Sequence, residues 1–280
     1  MKFKPRLLLV FFWVLAVFTA LAPVCVLAGG ETVTETRTVE LSEGALVEVI
    51  GENAEVRIHP VTSNVLDLVI TMNNREFVDY QPEVPYGNPA IHFVISVTTS
   101  TGGATRANSV IEIGIPSGVE LVVRTTNRPI VVDGVSLSSA ALSTSDGKIT
   151  VTNSSGKFDL NTTNSQVMVN EFDGVMNIAT TNAHVWFAGV IDEGTNSIST
   201  TNGDIAVRLG NDSNVTVAAN THNGDVSVNG SSDHDGVLKR GDRTTVSYQI
   251  DGGNATLNIT NGPGAIHINP DVIAVFDGDG

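Results

Sequence analysis

Six residues share one place in a recurring segment of this sequence: Pro129, Lys148, Gln166, His184, Asp204 and Asp225. Each stands two residues after an Asn or Asp. If equivalent segments stack, Asp204 lies directly beside Asp225. Carboxylates that close repel unless water or a cation intervenes. Trp186 follows His184 on the same outward side of a strand. An aromatic ring near paired carboxylates suits carbohydrate, and the pair's separation would suit a retaining glycosidase. Acid/base catalysis also needs a cleft and two environments that split the pKa values. A column running from proline through lysine to aspartate has the chemistry of an ordinary solvated face. His184, Trp186, Asp204 and Asp225 are therefore candidate ligand-binding residues, and no catalytic residue is assigned.

Other groups carry less. His222, Asp233, His234 and Asp235 could gather round a metal, but their spacing matches no strong ligand motif. No metal or cofactor is expected. Arg240-Gly241-Asp242 is an integrin-type tripeptide, short enough to arise by chance. Sequons such as Asn161-Thr162-Thr163 follow from an Asn/Thr-rich composition. There is no phosphate-binding loop, dinucleotide fingerprint, nucleophile elbow or Cys/His zinc pattern.

The segments that position these residues repeat. A Thr/Ser-rich tripeptide ends at Asn127, Asp146, Asn164, Asn182, Asn202 and Asn223, at spacings of 19, 18, 18, 20 and 21 residues. A seventh copy, Thr260-Asn261-Gly262, lies 38 residues further on. Four residues before the Asn/Asp stand Val123, Leu142, Leu160, Ile178, Ile198, Ala219 and Leu257. Three after it stand Ile130, Ile149, Val167, Val185, Ile205 and Val226, with Ile266 and Ile268 in a longer last copy. Alternation within each copy has period two, so these are short strands with one face inward. A fixed period of this length signals a solenoid. Stacked coils pair every backbone group with the coil above and below. The chain is therefore expected to be all-β, a single-stranded parallel β-helix, right-handed because crossovers are. Asn and Asp tolerate left-handed backbone angles and suit the corners. Their amides can also hydrogen-bond from coil to coil. The threonines two residues earlier are expected to point inward.

Residues 29–118 read as an N-terminal β-rich cap that shields the first coil's edge. Its strands are Thr36 to Leu41, Leu46 to Ile50, Ala54 to Ile58, Leu66 to Met72, Ile91 to Thr98 and Ser109 to Ile115, with a Pro-rich loop from Pro82 to Pro89. Residues 119–270 form the solenoid, interrupted by an excursion loop over 230–243. The pattern resumes at Val246 to Ile250. Residues 271–280 are a tail, in which Val272 to Phe276 could close the far edge.

The first 28 residues read as a signal peptide. Lys2, Lys4 and Arg6 precede an apolar run from Leu7 to Leu21, and Val26-Leu27-Ala28 suits cleavage after Ala28. Two other readings compete. Leu7 to Ala28 is long enough to serve as an uncleaved anchor. Cys25 could carry lipid, although Val24 is a poor residue before it. Cleavage removes the only cysteine, so stability must come from packing rather than cross-links. The formal charge of −15 argues against nucleic acid and anionic membranes as partners. An envelope protein or a polysaccharide is the expected partner class, in the periplasm, on the cell surface or secreted.

The chain resembles a family of bacterial exported proteins named for adhesion and built around a domain of unknown function, DUF4097. The resemblance lies in Ile115-Pro116-Ser117-Gly118-Val119-Glu120-Leu121, in Thr200-Thr201-Asn202-Gly203-Asp204-Ile205 and in Asn223-Gly224-Asp225-Val226. Gly252-Gly253 with Leu257 to Ile268 also fits, for coverage of roughly 45 to 270. Arg128-Pro129 replaces the family's Gly-Asp, and the 230–243 loop is long. The resemblance implies a β-helix and an extracytoplasmic location, and no established activity. The reading is an exported, non-enzymatic binding or structural β-solenoid. The alternative is a carbohydrate-binding or carbohydrate-active protein using the 184–225 face.

Overall fold

The computed structural model describes residues 32–81, 92–100, 107–210, 212–229, 237–240, 242–250 and 254–269. The leader over 1–28, the Pro82–Pro89 loop, Asp233 to Asp235 and the 271–280 tail lie outside the described residues.

The protein is all-β. Before the repeats come β1 (Thr32–Glu40), β2 (Leu46–Glu52), β3 (Ala54–Pro60), β4 (Val65–Asn73), β5 (Val78–Gln81), β6 (His92–Thr99) and β7 (Asn108–Ile115). The first repeats give β8 (Glu120–Thr125), β9 (Ile130–Asp133), β10 (Ser139–Ser143), β11 (Ile149–Thr152), β12 (Ser155–Asn161) and β13 (Val167–Thr180). The later ones give β14 (Val185–Ile191), β15 (Thr195–Thr200), β16 (Ile205–Leu209), β17 (Val215–His222) and β18 (Val226–Val228). The chain continues through β19 (Val237–Arg240), β20 (Arg243–Gln249), β21 (Ala255–Asn261) and β22 (Ile266–Ile268).

Two ladders organise these strands. In space the first runs β6, β2, β8, β10, β12, β13, β15, β21, β17, with every neighbour parallel. The second runs β7, β3, β9, β11, β13, β14, β16, β22, β18, again all parallel. β13 serves both, bending between Val169 and Phe172 where Glu171 takes a φ of 52°. Among the described residues, antiparallel strands lie only at the ends. β5 flanks β6, and β4 then β1 flank β7. β20 then β19 flank β17.

Alternation places the core between the ladders. One inward column is Val49, Val123, Leu142, Leu160, Ile178, Ile198, Ile259 and Ala219, and each side chain is buried. Each fully buried Val, Leu or Ile contributes about 1.5–3 kcal/mol relative to exposure. Phe158, Phe172 and Phe187 stack edge to face, with centroids 5.3 and 6.3 Å apart. Thr125, Thr144, Thr162, Thr180, Thr200 and Thr221 are buried, as their place in the repeat required.

Four expectations need correction. The 29–118 segment is not a cap throughout, because β2, β3, β6 and β7 extend the same ladders in parallel while β1, β4 and β5 lie antiparallel at the edge. Spatial order also departs from chain order at both ends. The 46–60 coil lies between the 92–115 and 120–133 coils. The 255–268 coil lies between the 195–209 and 215–228 coils. The Val246 to Ile250 segment is not another coil, since β20 runs antiparallel along the outer edge of β17. Finally, the seventh tripeptide is out of phase. Asn261 pairs with Thr200 and so stands in the buried threonine column. With that two-residue slip, Ile259 replaces Leu257 in the apolar column and the last copy has the ordinary length.

Candidate functional site

Val185 pairs with Ile205, and the residue before each, His184 and Asp204, projects from the same corner. The Asp204 N–H donates to His184 Nδ1 at 2.9 Å, and that nitrogen lies 3.6 Å from the Asp204 carboxylate. Both side chains are partly exposed. Asp204 Oδ1 accepts from the Ala265 N–H at 2.8 Å. On the other side of Ala265, the Ile266 N–H donates to the Asp225 carbonyl. Ala265 therefore separates Asp204 from Asp225. The expected carboxylate pair does not exist, because the 255–268 coil is inserted between the two coils that carry it.

Trp186 stands in the adjoining outward column, in register with Met168 on one side and Ala206 on the other, and Ala206 is in register with His267. The indole is half-buried, and the Arg208 guanidinium lies 5.9 Å from its ring centroid. Ala206 projects outward yet is fully buried, so its neighbours close over it. His267 Nδ1 and Ser227 Oγ are 2.9 Å apart. His184, Trp186 and Asp204 thus share one surface, Asp225 lies two coils beyond Asp204, and Arg208 and His267 join them. Sequence reading missed those two. Arg208 is four residues after Asp204, a spacing that does mark the same face of a strand.

His222 Nε2 lies 3.3 Å from an Asp242 carboxylate oxygen. That engages one end of the Arg240-Gly241-Asp242 tripeptide at the β19–β20 turn. Among the described residues no cluster of three His, Cys, Asp or Glu side chains could hold a metal ion.

The corner column behaves as an amide ladder. Asn202 donates to Asn182 at 3.0 Å, Asn182 to Asn164 at 2.8 Å, and Asn164 to the Asp146 carboxylate at 2.7 Å. The backbone reason expected for these residues holds for few of them: of the six predicted corner residues only Asn223 has a positive φ, as has Asn53, which accepts from the Asn127 amide. Side-chain hydrogen bonding between coils is the physical cause.

A shallow groove runs beside this ladder. Along one stretch Ser143, Asn161 and Ala179 form one rim, Thr144, Thr162 and Thr180 the floor, and Thr163 and Thr181 the other rim. A second stretch, at the same place on later coils, is lined by Asn220, Thr221, His222, Arg243, Thr260 and Asn261. The rims are the residues flanking each inward threonine, a signal present in the sequence.

The profile of the Toastrack DUF4097 family matches residues 117–268. No curated protein matches the chain. Among solved structures it is similar to a provisionally named cell adhesion protein of Clostridium sporogenes, at 13% identity and a TM-score of 0.43, covering 86% of this chain and 100% of that one. It is also similar to a provisionally named adhesin of Parabacteroides distasonis, at 10% identity and a TM-score of 0.35, covering 85% and 98%. A provisionally named adhesin of Bacteroides fragilis matches at 9% identity and a TM-score of 0.31, covering 84% and 96%.

Proposed function

The chain belongs to the Toastrack DUF4097 family, and from that premise we propose that it is an exported, non-enzymatic β-solenoid that binds a partner at the cell envelope. The two ladders then wind as one parallel β-helix, right-handed like other crossovers between parallel strands. One observation carries this reading. The coils stack in register along both ladders, which makes a rigid body with long, repetitive, outward-facing columns. Such surfaces suit an extended partner and do not wrap round a small substrate. The retaining-glycosidase argument rested on Asp204 directly beside Asp225, and Ala265 lies between them.

Export is tested by fractionating cells and sequencing the mature N-terminus. A chain beginning at Gly29 outside the cytoplasm supports it, and a cytoplasmic pool with the leader intact overturns it. Binding is tested by titrating isolated cell envelopes with the labelled protein. Saturable retention supports a binding role. Unsaturable or absent retention leaves a purely structural one.

A further inference from the structure

We propose that the groove beside the Asn ladder is a binding site for a neutral, extended polysaccharide lying along the solenoid axis. This rests on the reading of the chain as a binding protein and names the class of its ligand.

The geometry comes from register. Ser143, Asn161, Ala179, Ser199, Thr260 and Asn220 follow one another across six adjacent coils. Five rungs at about 4.8 Å make a track of about 24 Å. By register the residue after each takes the floor position, and Ser199-Thr200-Thr201, which lines neither stretch, lies between the two. Two floor residues carry an unmet polar group. The Thr180 hydroxyl has no hydrogen-bond partner, and neither has Asn261 Oδ1. Their side chains are only 7% and 4% exposed, and both line the groove. Both atoms are themselves closed to solvent, so a ligand would meet the rim hydroxyls and amides rather than these groups.

The lining selects the ligand. The chain has 30 acidic and 15 basic residues, yet from Ser143 to Thr181 the groove lining carries no charge. Along that stretch a polyanion would meet the repulsion of the whole molecule with no local cation to offset it, Arg243 lying only at the far stretch. An acyl chain would find hydroxyls and amides where it needs apolar surface. A peptide adding as a strand needs free backbone groups. Here the groove crosses strands whose backbone is already paired coil to coil. A chain of hydroxyl-rich, uncharged sugars matches side chains that donate and accept at every rung.

The test is affinity electrophoresis of the purified protein through gels containing a mixed-linkage β-glucan, a galactomannan or polygalacturonate. Ala179 is an exposed rim residue, so Ala179→Trp fills the groove without entering the core. Trp186→Ala, on the other ladder, is the comparison. The expected result is retardation by a neutral polysaccharide that Ala179→Trp weakens at least about tenfold and Trp186→Ala leaves unchanged. Loss in Trp186→Ala with retention in Ala179→Trp overturns the groove and moves the site to the other face. Equal retardation by polygalacturonate overturns the charge argument. No retardation by any gel, with saturable envelope binding intact, overturns the polysaccharide while the binding role stands. If Ala179→Trp lowers the melting temperature, Thr181→Tyr on the opposite rim replaces it and is scored the same way.

Discussion

Asn196 shows how much one buried amide can hold together. It is fully buried, its Oδ1 accepts the Met176 N–H at 2.8 Å, and its Nδ2 faces the carbonyls of Asp192, Gly194 and Thr256. Thr256 belongs to the inserted coil, so one side chain ties three coils. Asn196→Leu would leave the Met176 N–H unpaired, at a cost of about 1–3 kcal/mol. Urea unfolding should show a lower midpoint with an unchanged slope. An unchanged midpoint would mean that the coils do not depend on this amide. Asp133 makes a pH-dependent counterpart. Hydrogen bonds from Thr152, and then from Asn153, hold its carboxyl below the usual aspartate range. Its folded pKa lies below its unfolded one. The stabilisation is therefore complete above the unfolded value and fades as pH falls through the folded one. The group is solvent-exposed, so the effect is small and weakened by salt. Asp133→Ala should flatten the acid side of a melting-temperature profile slightly and leave the neutral side almost level.

At the scale of the strand, period two and the recurring spacing were enough to tell inward from outward residues. Ile205 and Val185 were read as inward and are fully buried. Ile205→Asp places an unpaired charge between two coils and should abolish cooperative unfolding as followed by circular dichroism. Lys148 projects outward from the corresponding corner, and Lys148→Ala should change stability by no more than about 0.5 kcal/mol. A folded Ile205→Asp variant or a costly Lys148→Ala variant would reverse the two faces. The phase of the last copy was less legible. Thr260-Asn261-Gly262 imitates the corner tripeptide, and a two-residue slip keeps every side chain on its face. Only pairing with Thr200 shows that Asn261 is a floor residue. Gly264 depends on the same pairing, since a Cβ there would lie 1.8 Å from the Gly203 carbonyl oxygen. Gly264→Ala should destabilise by about 1–3 kcal/mol, read as a fall in melting temperature.

At the scale of the molecule, the out-of-order coils change where the structure can open. A solenoid built in chain order frays from its last coil inward. Here the 255–268 coil is paired on both sides along both ladders, and the 215–228 coil is the outer one. Hydrogen exchange should find the amides of β21 as protected as those of β15, and more protected than those of β18. Fastest exchange in β21 would contradict the insertion. The sequence by itself determined the all-β class, the coil length, the inward columns and the corner at which the asparagines stack. Each of these is a local matter of alternation and spacing. The tertiary structure alone decided which coil lies on which. Every coil offers the same apolar code and the same parallel edge, so pairing energy hardly distinguishes one neighbour from another. Antiparallel β20 occupies the outer edge of β17, which leaves β21 the inner edge of that strand. That choice separates Asp204 from Asp225, and it carries the polar groove onward to Thr260 and Asn220.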